Sequence, residues 1–304
     1  FKWADERKET KLLEIEWSPS RTGLINPVAI FEPVELEGTT VSRASVHNIS
    51  IVRNLKLGIG DTITVYKANM IIPQIAENLT RSDSLEIPQE CPACGGKTEI
   101  KQVNDVQSLY CTNHECSAKK IKAFTLFVSR DAMNIEGLSE ATLEKFVQKG
   151  FIHGLSDLFH LSNHKDEIVH MEGMGDKSYN NLIQAIDKAR IIPTARFIYS
   201  LGIANVGLSN AKLLCRHFND DVSALMSAEE EAMTTIEGIG PVIARSVRNY
   251  FVDAKNCNEV LALLNIKQQV FMHPAYNLVL VSEFQMLTVI AYHSITSSLP
   301  NPLY

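Results

Sequence analysis

Four of the six cysteines fall between positions 91 and 116 with the spacing C-x2-C-x16-C-x4-C: Cys91, Cys94, Cys111 and Cys116. A C-x2-C pair makes a tight knuckle with both sulfurs on one side. A second pair, returned by a hairpin, completes a tetrahedron. Four thiolates suit Zn2+ and leave no open coordination position, so the expected metal is structural, not catalytic. Pro92 and the Gly95-Gly96 pair support the first knuckle. Two disulfides or free thiols are the alternative, and the missing secretory signal favours the metal. His114 lies between the last two cysteines and can replace one ligand.

The cluster divides the chain. Residues 1–80 read as β, with strand-like segments such as Ile30–Leu36 and Thr62–Tyr66. Turn signals separate them at Arg21-Thr22-Gly23, Glu37-Gly38 and Gly58-Ile59-Gly60-Asp61. Several short strands over such a length predict a small barrel. Residues 84–118 are polar, with too little apolar material for a core of their own, so a metal is needed to order them. Residues 119–265 read as helical: Leu143, Phe146 and Val147 keep helical spacing, as do Leu182, Ile183 and Ile186. Residues 266–304 fit none of these patterns, being apolar and without glycine. The fold class expected is therefore multidomain: an all-β barrel, a small four-cysteine zinc module and an all-α domain.

The net charge is −6 and the pI about 5.9, which argues weakly against nucleic acid. Backbone N–H groups and a few local cations can still hold phosphates on an acidic protein. The apolar stretch at 277–292 carries Glu283 and Gln285 and is too short for a clean span, so no membrane is expected. The chain opens on Phe1-Lys2-Trp3, inside what reads as a strand and without an initiator Met. That looks like a chain cut within a domain.

A weak repeat runs through the helical region. Its units are "IEGLSEATLEKF" at 135–146, "MEGMGDKSYNNLI" at 171–183, "LGIANVGLSNAKLL" at 201–214 and "IEGIGPVIARSV" at 236–247. Each is a glycine-containing turn followed by an amphipathic helix, and the turn resembles the helix-hairpin-helix. Its glycines permit positive φ and clear side chains from the surface. Backbone N–H groups at the helix start can then meet a phosphate without reading sequence. Glycine caps between packed helices are the competing reading. The second and fourth units keep both glycines, Gly173 with Gly175 and Gly238 with Gly240. The third spreads them as Gly202 and Gly207, and the first has Gly137 followed by Ser139. Lys177, Lys212, Arg245 and Arg248 on the following helices can add phosphate contacts or simply be solvated. The same holds for Lys119, Lys120, Lys122 and Arg130.

Barrel, four-cysteine module and four hairpin units, in that order, resemble the NAD-dependent DNA ligases of bacterial type. The likeness extends to "SRTGLINPVAIFEPVELEGTTVSRASVHN" at 20–48, similar to that family's OB-fold entry, to "GIGDTITVYKANMIIPQI" at 58–75 and to "FVSRDAMNIEGLS" at 127–139. It covers about residues 1–265. It implies residues 1–13 as the end of a nucleotidyltransferase domain and 14–80 as an OB-fold. It further implies 84–118 as a zinc finger and 119–265 as a helix-hairpin-helix domain, leaving 266–304 unassigned. It also implies nick sealing in replication and repair, with NAD and Mg2+ in the intact enzyme, nicked double-stranded DNA as partner, a monomer and a cytoplasmic location.

In that family a lysine in a K-x-D-G motif takes AMP from NAD. This chain has no Asp-Gly dipeptide, so no self-adenylylation is expected of it. "FKW" resembles the last nucleotidyltransferase motif, which maps Lys2 to a contact with the adenylate phosphate. Arg21, Arg43 and Lys67 are the barrel's candidate DNA contacts, and the strand at 1–13 is expected to fray without its upstream neighbours. Ala68-Asn69-Met70 stands where the family often has an acidic A-G-D/E string, and "NHECSA" replaces "NPxCPA". The other functional readings are a non-catalytic DNA-repair adaptor and a structural interaction protein whose glycines only cap helices.

Overall fold

The computed structural model describes residues 6–271. The chain divides into two compact units between Leu126 and Phe127. Lys2 and residues 272–304 lie outside the described residues.

In the first unit the strands are β1 (Lys8–Pro19), β2 (Leu24–Leu36), β3 (Thr39–Ser45), β4 (Thr62–Ala68) and β5 (Ile72–Asn78). A helix α1 (Ile49–Leu55) sits between β3 and β4. Strand β1 changes partner partway along. Lys8–Lys11 pair with β4, and from Leu12 onward the strand pairs with β2, with an irregularity between Leu12 and Glu14. Strand β2 in turn pairs with β3, and β4 with β5. All these ladders are antiparallel, and β3 runs close to β5, so the sheet curls round a core. The core follows from the alternation of side chains along each strand: Leu12, Ala29, Phe31, Leu36, Ile63 and Val65 point inward and are buried. Two-residue turns need positive φ, and Glu37 (φ 46°) with Gly38 (φ 75°) supplies it between β2 and β3.

The expected boundary between 13 and 14 does not hold for residues 8–13. They form the first half of β1, with Thr10 and Leu12 buried and hydrogen-bonded neighbours on β4 and β2, so this stretch is not a frayed end. The physical reason is the shared strand, whose removal would open the curl.

Strands β6 (Thr98–Val103) and β7 (Val106–Cys111) form the hairpin between the two cysteine pairs. This hairpin is joined to the barrel: Leu24 and Ile25 of β2 pair with Tyr110 and Leu109 of β7. Ser50 of α1 accepts from the Gln107 N–H at 2.8 Å, and its hydroxyl donates to the Asp105 carbonyl at 3.3 Å. Ile25, Ile49 and Leu109 pack with the buried Cys91, Cys111 and Cys116. The polar 84–118 stretch thus uses barrel side chains for its core.

Helix α2 (Ser117–Val128) starts directly after Cys116, so the expected boundary at 118/119 falls inside it. The second unit continues with α3 (Glu140–Gln148), a 3₁₀ segment (Ser156–His164), α4 (Lys165–Val169), α5 (Asp176–Ala189), α6 (Thr194–Ser200) and α7 (Leu208–His217). It ends with α8 (Val222–Ser227), α9 (Glu230–Thr234), α10 (Pro241–Val252) and α11 (Ala254–Phe271). Leu143, Phe146, Leu182 and Ile186 are buried at helical spacing, with Phe197, Leu214 and Val247. Helix α11 packs on the 3₁₀ segment, where Glu259 Oε1 accepts from the Ser156 N–H at 2.6 Å. It runs past the expected end at 265, so residues 266–271 belong to it. Among the described residues, no helix is long and apolar enough to cross a membrane.

Candidate nucleic-acid interface and metal centre

The four hairpins share one backbone pattern. The residue two before each helix cap carries the left-handed turn: φ is +92° at Gly137, +79° at Gly173, +62° at Asn205 and +89° at Gly238, while Gly202 (φ +69°) stands further back, just after α6. The residue just before each helix cap is apolar and buried: Leu138, Met174, Val206 and Ile239. It pins the hairpin to the helical core and turns the cap outward. The sequence already carried this signal in the apolar residue before each cap, and it was missed there.

At the cap the hairpins divide. Gly175, Gly207 and Gly240 cap α5, α7 and α10 with extended backbone, and no side chain accepts from the first-turn N–H groups. Their φ values of −95°, −82° and −86° suit any residue, and a Cβ there would meet nothing within 4 Å. Neither conformation nor packing therefore requires glycine at these three positions. What its absent side chain does is leave the N–H groups open to approach. In the first hairpin Ser139 is the cap, and its hydroxyl accepts from Thr142 N at 3.1 Å. That helix start is satisfied internally.

The candidate cations sort by whether they have partners. Arg248 makes a two-pronged pair with Glu229, at 2.9 and 2.8 Å. Arg245 lies 3.5 Å from Glu230. Both glutamates precede or begin α9, so these arginines brace α9 on α10. Lys177, one residue into α5 beyond the Gly175 cap and Asp176, is exposed, and so is Lys212 on α7. Arg130 is exposed beside the first hairpin, where its backbone carbonyl accepts from Arg196.

In the barrel, Arg43 donates to Glu16 Oε2 at 2.7 Å, and this bond, with help from Ser18, holds the Glu16 carboxyl below its usual value. Lys67 is buried and donates to the Thr39 hydroxyl. An internal partner therefore engages each of these two, which leaves less for a phosphate. Arg21 is half-buried on the β1–β2 turn and takes part in an internal interaction as well.

The cysteines converge as their spacing required. All four Sγ atoms lie within 4.8 Å of one another. Cys94 and Cys111 are 3.7 Å apart, and Cys91 and Cys116 are 4.0 Å apart. Thiolates placed tetrahedrally at the usual Zn–S distance stand about 3.8 Å from one another, whereas a disulfide needs about 2.05 Å. The thiols are free, and the donor set is compatible with zinc. His114 is exposed and outside this cluster.

Burial disfavours the Cys94 thiolate, yet the Gly96 N–H, the Asn113 amide and the neighbouring Cys116 and Cys111 bring its pKa down to about 7. Burial pushes Cys111 up to about 12, and the Cys94 and Cys91 thiols push the same way against the Asn113 N–H. Burial also raises Cys116. Asn113, whose amide donates to Cys94 Sγ at 3.5 Å, was not legible as part of this site from its spacing.

Residues 9–86 match the NAD-dependent DNA ligase OB-fold domain, and residues 196–260 match the helix-hairpin-helix motif. The chain is 64% identical over 265 residues to a DNA ligase of Ruminiclostridium cellulolyticum, covering 87% of this chain and 40% of that protein. It is 65% identical over 256 residues to one from Lachnoclostridium phytofermentans, covering 84% of this chain and 39% of the relative. A DNA ligase of Symbiobacterium thermophilum is 38% identical over 269 residues. The chain spans about two fifths of the length of these curated relatives. Residues 9–86 thus carry the OB-fold domain of NAD-dependent DNA ligases, and over the stretch it spans the chain is similar to curated DNA ligases.

Proposed function

We propose that this chain supplies the non-sequence-specific grip on nicked duplex DNA in an enzyme that joins 3′-hydroxyl and 5′-phosphate ends. The observation that carries this reading is the set of three glycine caps where neither φ nor packing calls for glycine. Each leaves first-turn N–H groups without a side-chain partner at a helix start, where the helix dipole favours an anion; in α10 Pro241 carries no N–H and Ile243 donates to the Gly240 carbonyl, which leaves Val242 for the contact. Such contacts hold a phosphate and read no base. Gly173 and Gly238 shape two of these turns, Asn205 with Gly202 behind it shapes the third, and Gly137 shapes the self-capped one. Arg21 adds a contact from the barrel.

In this reading Cys91, Cys94, Cys111 and Cys116 hold a structural zinc that fixes the β6–β7 hairpin on the barrel. Lys2 contacts the adenylate phosphate in the assembled enzyme. In the intact enzyme NAD would be the source of the AMP and Mg2+ would offset phosphate charge. The chain works as a monomer in the cytoplasm.

The test is binding of the purified chain to nicked duplexes of several sequences over a range of salt. Affinity is expected to fall steeply with salt and to vary little with sequence. A strong preference for one sequence would overturn the reading. With labelled NAD the chain is expected to form no AMP adduct, because it carries no K-x-D-G motif.

A further inference from the structure

Lys119 has a different setting from the other lysines of its basic run. It lies in the first turn of α2, three residues after Cys116. Its ammonium donates to the Cys111 carbonyl at 2.8 Å and to the Asn113 carbonyl at 2.9 Å. Its backbone N–H, with that of Ala118, reaches the Cys116 thiol. One residue therefore grips both members of the second cysteine pair.

The barrel makes room for it. Gly23 ends the β1–β2 turn at φ +86°, and its carbonyl accepts from the Cys111 N–H at 2.8 Å. A Cβ on Gly23 would stand 2.5 Å from Lys119 Cε and 2.8 Å from Nζ. The lysine thus passes between the barrel turn and the ligand loop, in space that only glycine leaves.

Four thiolates around a divalent ion carry two negative charges in excess, and three of these cysteines are buried. Excess charge in such a place is costly unless a counter-charge stands close by. Groups that orient ligands from behind are known to alter metal affinity strongly.

We propose that Lys119 is the positioning cation of the four-cysteine centre. It holds the Cys111–Asn113 loop in ligating geometry, offsets the charge of the thiolate set and ties the centre to the barrel turn at Gly23. This replaces the reading of Lys119 as a DNA contact, and it rests on the four cysteines holding zinc.

The test is a zinc competition titration of the whole chain against a chromophoric chelator, paired with cobalt(II) substitution. Lys119→Met is expected to weaken zinc binding about ten- to a hundredfold and to shift the thiolate-to-cobalt charge-transfer bands. Gly23→Ala crowds the lysine from the barrel side and replaces no ligand, although its Cβ would also stand 3.0 Å from the Cys111 carbonyl oxygen. It is expected to act in the same direction, and it serves as the test if Lys119→Met fails to fold. Gly38→Ala has the same backbone strain in open space and is expected to leave zinc affinity unchanged. Unchanged zinc affinity in Lys119→Met or in Gly23→Ala overturns the assignment. So does a Lys119→Met chain that loses only DNA affinity. A wild-type chain that takes up no zinc overturns the metal reading and this proposal together.

Discussion

The Asn78 side-chain amide donates to Asp61 Oδ2 at 2.7 Å inside the barrel, and both residues are almost fully buried. The same amide reaches the Leu55 and Lys56 carbonyls at 3.1 and 2.9 Å, closing the end of α1. Its oxygen accepts from the Thr80 and Arg81 N–H groups. Asn78 thus joins the last barrel strand, the end of α1 and the start of β4 at one point.

Replacing it with alanine takes the amide donor from the Asp61 carboxylate, which keeps only Ser82 and Gly58, and from the Leu55 and Lys56 carbonyls, and removes the acceptor of the Thr80 and Arg81 N–H groups. Asn78→Ala is expected to destabilise the first unit by about 3 kcal/mol, read as a lower urea midpoint at unchanged slope. Burial raises the Asp61 pKa, but bonds from Ser82, Asn78 and Gly58 outweigh it and hold the pKa below the usual 3.8. A depressed carboxylate contributes stability that is present above its unfolded pKa and lost as pH falls through the folded one. The wild type should therefore lose stability below about pH 4, and Asn78→Ala should show a smaller loss over that window.

The metal centre gives a second pH dependence of the same sense, because metal binding, like folding around a depressed carboxylate, releases protons. Without metal, Cys111 stays protonated up to about pH 12 and Cys94 only up to about pH 7. Metal binding must expel whatever protons remain. The apparent zinc affinity is expected to rise with pH throughout, and to fall more steeply below about pH 7, where Cys94 also holds a proton. A zinc titration at several pH values checks this, and an affinity independent of pH would contradict thiolate ligation. Chelation should also release the β7–β2 pairing, because Ile25, Ile49 and the cysteines share one cluster. Proteolysis should then cut first at the β6–β7 hairpin.

Much of this was legible in the sequence because it depends on local rules. The cysteine spacing led to a closed four-sulfur site, and Glu37-Gly38 led to a tight hairpin. The apolar, β-branched run at Ile30–Leu36 led to a strand, which β2 contains. What was not legible depends on contacts between distant residues. Nothing near Lys119 in sequence reveals that its ammonium lies against Gly23. Lys67 reads as a surface lysine until Thr39 is brought beside it. The run at 8–13 looked like a loose end because its partner, β4, lies fifty residues further on. Arg248 looked available because Glu229 is on another helix.

The contrast between Ser139 and the glycine caps can be tested by exchange. Gly240→Ser puts a capping hydroxyl where the wild type has none, at a position with room for it. A serine cap stabilises a helix start by a few tenths of a kcal/mol relative to glycine, so the second unit should be no less stable. The hydroxyl then competes with a phosphate for the same N–H groups, and DNA affinity should fall by about threefold to fivefold. Gly238→Ala is expected to behave differently. Its φ of +89° and the Leu213 side chain 3.0 Å from the new Cβ make it a folding defect, by about 1–2 kcal/mol. If Gly240→Ser binds DNA as tightly as the wild type, that hairpin does not use its open cap for phosphate.

Lys177 and Arg248 make the last comparison, because both stand on helices that follow open caps but differ in partners. Lys177 is exposed in the first turn of α5, while Arg248 is committed to Glu229. Each phosphate contact contributes about 0.9 to the slope of log affinity against log salt on duplex DNA. Lys177→Ala should reduce that slope by about this amount and weaken binding equally on all sequences. Arg248→Ala should leave the slope unchanged, since the guanidinium already faces a carboxylate. Its expected effect is looser packing of α9 on α10, seen as faster hydrogen exchange at 229–235. The reverse outcome, a slope change with Arg248→Ala and none with Lys177→Ala, would mean that DNA breaks the Glu229 pair on binding and that the fourth hairpin, not the second, supplies the cationic contact.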